Sequence, residues 1–467
     1  MKVKHLKHFI LFSFMIFCMH GKAQTFPIDT IFYNGNINKL INMVILSDGY
    51  TSAEMGTFIT DANSMVSNIF AQQPFKEYKN YFNVFAIKVP SPTSGINHPN
   101  IAPDCSGYSV PVISGKNPYF GTVFDAFNIH RLVVPINVVS IATVMANNFP
   151  SYDQIFVLAN SPYYGGSGGD VATATTDASS SEVAIHEIGH SFAGLSDEYW
   201  AGASYAAEKP NMTQQSSASL VKWKNWLNIN NIGIYLYEST TNWYRPHQNC
   251  KMRYLSVPFC SVCAETFIEK IHSLTNPIYS YLPAATILNV GDTIIKFSTV
   301  LLNPIPNTLK RNWTVNGTSR AANQDSLSVS TTALANNSTI KLTVLDTTAL
   351  TKSNAHPTAH LYSVTWTIKK TLTAIKINSV VENNVFTLYP NPGSNQLNIS
   401  YELQQPSKLV FDVIDITGRE IISGKQHSAN AGKQIESIDI SNLTNGEYFV
   451  RILKDSAPVT LSFIKIK

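Results

Sequence analysis

The apolar residues of this chain change rhythm near residue 275, and that change limits the architectures open to it. Upstream, short continuous apolar runs alternate with stretches of helical spacing. Met43-Val44-Ile45-Leu46 ends at Asp48-Gly49 and reads as a buried strand, with Phe82–Ile87 and Gln154–Leu158 as further strands. Residues 52–71 instead place Met55, Phe58, Ile59, Ala62, Met65 and Ile69 at helical intervals. Strands interleaved with helices predict an α/β layer structure over residues 24–275, with Asp48 organising the turn after its first buried strand. Downstream, alternating runs such as Ile294–Phe297, Thr339–Val344 and Leu361–Trp366 are separated by Asn, Gly and Pro, which predicts an Ig-like β-sandwich over 276–370. A polar connector at 371–384 leads to a second all-β sandwich at 385–467, where Gly418 and Gly446 stand at expected tight turns. The expected chain is therefore multidomain, one α/β domain followed by two all-β ones.

The first residues set the expected compartment. Lys2, Lys4 and Lys7 precede an apolar run from Phe9 to Met19, and Gly21-Lys22-Ala23 supplies the small residues of a cleavage site, so residues 1–23 read as a signal peptide. The run is too short to span a bilayer, and Phe17 before Cys18 argues against a lipid anchor. Cleavage after Ala23 takes four of the 34 basic residues and none of the 30 acidic ones, so the mature charges balance. That balance gives no reason to expect a nucleic-acid or anionic-membrane partner, and no later segment is apolar enough to be an integral membrane span. Charged residues make up only 14% of the chain, which leaves the polar surface to Ser, Thr, Asn and Gln and suits an exported protein. Four cysteines remain after cleavage: Cys105, Cys250, Cys260 and Cys263. In an oxidising compartment they read first as two disulfides, with connectivity open; the C-x-x-C pair Cys260/Cys263 leaves a structural zinc site as the other reading.

The chemistry is concentrated in His186-Glu187-Ile188-Gly189-His190. On a helix, residues four apart share a face, so both imidazoles can reach one metal ion. Ser179-Ser180-Ser181-Glu182 has the capping-box form that starts a helix. Ala184, Ile188, Phe192 and Leu195 then form an apolar stripe roughly opposite the histidines. Such a helix packs one face into a core and turns the other to a cleft. A catalytic zinc takes three protein ligands and keeps a position for water. If the helix continued, Asp197 would lie about 10 Å along the axis from His190, so the chain must double back, which Gly194 permits in a left-handed conformation. Asp197 is the candidate third ligand; Glu198 is the alternative, and spacing does not choose between them. Glu187 is the candidate general base. Tyr199, Tyr244, Arg245 and His247 are candidate stabilisers of a tetrahedral oxyanion. His356 and His360, also four apart, have no carboxylate between them and read as surface or packing residues.

These residues resemble the immunoglobulin-A peptidase family of zinc metallopeptidases. The resemblance rests on His186–Tyr199, on Asn42–Tyr50 and Pro74–Tyr78 upstream, and on Cys250–Arg253 and Pro258–Cys260 downstream, covering about Asn38–His272. It implies a secreted zinc endopeptidase acting on protein or peptide substrates. The metzincin pattern is a more distant likeness, since here the glycine falls one residue later and the last ligand is acidic; it implies a metzincin-like domain in which Met252 is either the methionine turn beneath the metal or a plain core methionine. Leu388–Pro392, Asp415–Arg419 and Gly446–Arg451 resemble the C-terminal sorting domain of the type IX secretion system, implying that machinery as a partner, export across an outer membrane, and release or attachment at the cell surface. A surface adhesin or glycan-binding protein with a vestigial metal site, and a zinc amidase acting on cell-wall peptides, are the rival functions.

Overall fold

A computed structural model describes residues 24–107, 109–370, 386–424, 426–454 and 457–467. The expected signal peptide and the connector at 371–384 lie outside the described residues. The chain divides into two compact units, one up to residue 371 and the other from 372 onward.

The first unit is built on a mixed six-stranded sheet. Its strands are β1 (Ile28–Phe32), β2 (Ile41–Asp48), β3 (Phe82–Ile87), β4 (Gln154–Ala159), β5 (Gly166–Ser167) and β6 (Ala172–Ala174), in the spatial order β1-β3-β2-β4-β6-β5. The central pairings β3/β2, β2/β4 and β4/β6 are parallel, while β1 and β5 close the edges antiparallel. All residues of β2, β3 and β4 are buried, as the parallel centre of a sheet covered on both faces requires. Alternation along β2 divides its side chains between two cores. Met43 and Ile45 pack with helices α1 (Met55–Ile69), α3 (Ser180–Ser191) and α4 (Ser261–Leu274), whereas Val44 and Leu46 pack with α2 (Val138–Asn148) on the opposite face. Asp48, at the end of β2, accepts from the backbone N–H groups of Phe120 and Thr122 at 2.9 and 3.0 Å and so ties the sheet to the following loop.

Residues 276–370 form two facing sheets. Ile278–Leu282, Ile294–Leu301 and Ser326–Ser330 make one; the other is led by Leu309–Val315, Ser338–Asp346 and Tyr362–Lys370. Trp313 and Trp366 stack in the core between them. This sandwich belongs to the same compact unit as the α/β layers. The contact is polar as well as apolar. Buried Asp346 receives Tyr78 Oη at 2.6 Å, His272 Nε2 at 3.0 Å and Thr308 Oγ1 at 2.5 Å, joining both parts of the unit at one carboxylate.

The second unit is a separate strand-rich sandwich with its own core, including Leu397, Phe411, Val450 and Phe463. Gly418, at φ +83°, turns the chain between Ser407–Asp415 and Glu420–Ile422 as expected. Gly446 differs from expectation: it opens the strand Gly446–Lys454, and the turn lies just before it. Among the described residues no helix is long and apolar enough to cross a membrane.

Candidate active site

Helix α3 begins after Ser179, but the expected capping box does not form. Ser179 makes no side-chain cap bond, and Glu182 turns outward to pair with Lys251 Nζ, accepting also from Gln72 Nε2 at 2.5 Å and Ser256 N at 2.7 Å. The reason is electrostatic. The Lys251 side chain is only 1% exposed, and a buried cation needs a carboxylate more than a helix terminus does. The apolar stripe behaves as its spacing predicts, with Ala184, Ile188, Phe192 and Leu195 all buried in the core. Gly189 lets the helix approach its neighbour closely: a Cβ there would stand 2.6 Å from Met252 Sδ. Gly194 adopts φ +65° and ends the helix, its N–H donating to His190 O at 3.0 Å. The chain doubles back, as Asp197 requires.

Three donor atoms meet there. Asp197 Oδ1 lies 3.0 Å from His186 Nε2 and 3.3 Å from His190 Nε2, and the two Nε2 atoms are 3.2 Å apart. His186 Nδ1 donates to Lys251 O at 2.9 Å and His190 Nδ1 donates to Leu195 O at 2.8 Å. A carbonyl can only accept, so each ring carries a proton on Nδ1 and turns Nε2 toward the shared point. Tetrahedral zinc with ligands at about 2.0–2.1 Å separates them by about 3.3 Å, so this donor set fits a zinc ion by spacing and by chemistry. Glu198, the alternative ligand, points the other way. Its Oε1 accepts from Asn211 Nδ2 and from Cys263 Sγ, each at 3.2 Å, and burial raises its carboxyl well above the usual range.

The electrostatics follow the same grouping. Burial disfavours charge on His190, yet the hydrogen bond to Asp197 overrides it and lifts the pKa to about 9. His186 is raised by the same balance. Burial likewise opposes ionisation of Asp197, but the bonds from both rings hold its carboxyl well below the usual range. Burial pushes Glu187 upward, partly offset by the two imidazoles.

These groups stand in a cleft of about 830 Å³. Glu187 and Tyr199 line it, together with Trp200, Tyr205, Phe127 and Arg131. The Arg131 guanidinium sits 5.7 Å from the centre of the Tyr199 ring. Arg131 and Phe127 were not legible as cleft residues, since they come from a loop with no periodic pattern. Tyr244, Arg245 and His247 do not line the cleft. Arg245 is buried and donates to the carbonyls of Glu198 and Tyr237; Tyr244 pairs through its backbone with Thr213; His247 Nδ1 accepts from Asn249 N. Met252 is buried beneath α3, and its carbonyl accepts from Glu198 N at 2.6 Å.

The expectation of two disulfides is not met. All four cysteines are free and buried, and the 3.7 Å between Cys250 Sγ and Cys263 Sγ far exceeds a bond of about 2.05 Å. Counting misled here because the cysteines divide three to one. Cys250, Cys260 and Cys263 gather with Glu198, while Cys105 sits with His98, Asp125 and His130. His356 and His360 are buried rather than on the surface, and both contact the Glu269 carboxylate, at 2.7 and 3.0 Å.

Comparison with known proteins gives two family matches. Residues 31–234 match the model of IgA Peptidase M64, and residues 387–467 match the secretion system C-terminal sorting domain. No curated protein matches the chain. Three solved structures give distant likenesses. An alkylpurine DNA glycosylase AlkC of Pseudomonas fluorescens is 20% identical over 18% of this chain and 29% of its own, with a TM-score of 0.13. Three N-terminal domains of the bacteriophage RB49 Hoc protein are 8% identical over 39% and 65%, at 0.17. A Bacteroides uniformis β-glucuronidase is 9% identical over 47% and 28%, at 0.14. The chain spans less than two thirds of each, and scores this low say nothing about its fold. The matches thus give this chain a peptidase-like stretch over residues 31–234, similar to IgA Peptidase M64, and a secretion-system C-terminal sorting domain over 387–467 that supports export through the type IX route.

Proposed function

We propose that this protein is a secreted zinc endopeptidase in which His186, His190 and Asp197 hold the metal and Glu187 is the general base. The observation that carries the reading is the triangle of donor atoms, with edges of 3.0, 3.2 and 3.3 Å and both Nδ1 protons anchored on carbonyls. A zinc ion held there supplies Lewis acidity and a water whose pKa falls toward ~7. Glu187, adjacent to the first ligand and raised by burial, is suited to take a proton at its carboxylate and pass it to a leaving amine. Tyr199, lining the cleft beside Asp197, is the candidate to steady the oxyanion, and Trp200, Tyr205 and Phe127 offer apolar surface to substrate side chains. Met252 would act as a methionine turn, packed at Gly189 and fixing the backbone that receives His186 Nδ1–H. In this reading the α/β domain is metzincin-like and the sandwich at 276–370 supports it.

The test compares zinc content and hydrolysis of denatured protein by the exported chain and by Glu187→Ala. About one zinc at this site, with activity lost and that zinc retained in the variant, is expected. Activity on peptidoglycan fragments with none on protein would favour an amidase instead. Inactivity on both would favour a binding protein.

A further inference from the structure

We infer that His98, Cys105, Asp125 and His130 form a second, structural zinc site that braces one wall of the catalytic cleft. All four side chains are buried and offer donor atoms within reach of a common centre. Asp125 Oδ1 lies 3.3 Å from His98 Nε2, 3.2 Å from His130 Nδ1 and 3.4 Å from Cys105 Sγ. The sulfur is 3.5 Å from His130 Nδ1 and 3.8 Å from His98 Nε2.

Two readings of such a cluster make different demands. If Asp125 were simply the acceptor of charge-assisted hydrogen bonds, its N···O separations should be about 2.7–2.9 Å. A tetrahedron around zinc, with nitrogen or oxygen at about 2.0–2.1 Å and sulfur at about 2.3 Å, has edges of about 3.3 Å between N and O and about 3.6 Å to S. The observed spacings match the tetrahedron. The tautomer of His98 points the same way. Its Nδ1 lies 2.7 Å from the carbonyl of Pro111 and must donate to it, which leaves Nε2 as the atom facing Asp125 Oδ1 and free to bond a cation. A divalent cation between them would take one bond from each. One thiolate, one carboxylate and two neutral imidazoles also balance the charge of Zn²⁺, as a buried site needs. Asp125 is oriented by its Oδ2, which accepts from Ile101 N at 3.0 Å, and the backbone of His130 is fixed by its N–H donating to Asp104 Oδ1 at 2.9 Å.

The purpose of the brace is legible in the backbone. Asp125, Phe127 and Asn128 all adopt left-handed conformations, with φ of +65°, +53° and +62°. Such backbone conformations are costly for residues other than glycine and persist only where their surroundings hold them. The same loop carries Phe127, Ile129 and Arg131 into the cleft. A metal bonded at Asp125 and His130 clamps both ends of the strained turn and so fixes the wall that meets the substrate.

The first test is anomalous scattering at the zinc edge from crystals of the full exported chain supplied with zinc. The expected result is a peak bonded to all four side chains, separate from any peak at His186/His190/Asp197. Ordered side chains with no peak among them, or a peak touching fewer than three, would overturn the inference whatever the catalytic site holds. In solution, Cys105→Ser and His130→Ala should each lower zinc by one per chain, while Glu187→Ala should not. A folded Cys105→Ser protein with the full zinc complement would refute the site. Should both variants fail to fold, the scattering experiment on the native chain decides alone.

Discussion

At the scale of single residues, the candidate active site is a problem in proton bookkeeping. Asp197 lifts His190 to about 9, so without metal the ring is protonated near neutrality. In the proposed zinc-loaded state that proton is displaced. Calorimetry of the metal-free protein in buffers of differing ionisation enthalpy should therefore show proton release at pH 7 that fades as the pH rises through about 9. The stability effect has a definite sign. Because the folded pKa lies above the unfolded value near 6.5, the His190–Asp197 interaction contributes fully below about 6.5 and is lost as pH rises through about 9. Thermal melts of the metal-free protein should fall across that window. Release independent of pH would mean that His190 is not beside a charged Asp197. Close packing gives a second residue-level prediction. A Cβ on Gly166 would stand 2.4 Å from Val183 Cγ1 on α3 and 2.6 Å from Thr173 O. Gly166→Ala should destabilise by about 1–3 kcal/mol, read from denaturant midpoints, because the carbonyl cannot move aside.

At the scale of elements, Glu182 links α3 to the segment beneath it. The carboxylate joins Lys251, whose carbonyl in turn receives His186 Nδ1–H. Glu182→Gln should cost about 1–3 kcal/mol and weaken zinc retention under mild chelation, since it leaves Lys251 buried without its counter-charge. Unchanged retention would separate the link from the site. This element also marks what sequence patterns can and cannot convey. The strand Met43–Leu46, the helix from Met55, the stripe on α3 and the turn at Gly194 were legible, because each is encoded by periodicity or by one permissive residue. Glu182 misled, because a capping box is a local signal and its competitor, Lys251, lies 69 residues away. Asp197 was separated from Glu198 only by the direction the chain takes after Gly194. The cluster of His98, Cys105, Asp125 and His130 has no ligand spacing to recognise, being assembled by loops rather than by one helix or a C-x-x-C pair.

At the scale of the whole molecule, the rhythm change near residue 275 marks a change of architecture but not a break in the first unit. Asp346 receives Tyr78, His272 and Thr308 in the interior, and their hydrogen bonds outweigh burial to hold its carboxyl below the usual range. That interaction is present above the unfolded pKa near 4 and is lost as the pH falls through the lower folded value. Calorimetry should find residues up to 370 melting in one transition, with Asp346→Ala lowering it by about 3–5 kcal/mol of stability. Two transitions within that span would mean that the sandwich stands alone.

The shared carboxylate has a practical corollary for anyone dissecting this protein. A cut after residue 275, where homology to the peptidase model has already ended, would strip Tyr78 and His272 of their buried acceptor and Glu269 of both imidazoles that face it. Such a fragment would keep every residue of the candidate active site and still expose the underside of its own scaffold. The smallest piece that can be excised whole, transplanted or trimmed for crystals is thus set by an interior hydrogen bond, and it must include the sandwich through the strand Tyr362–Lys370.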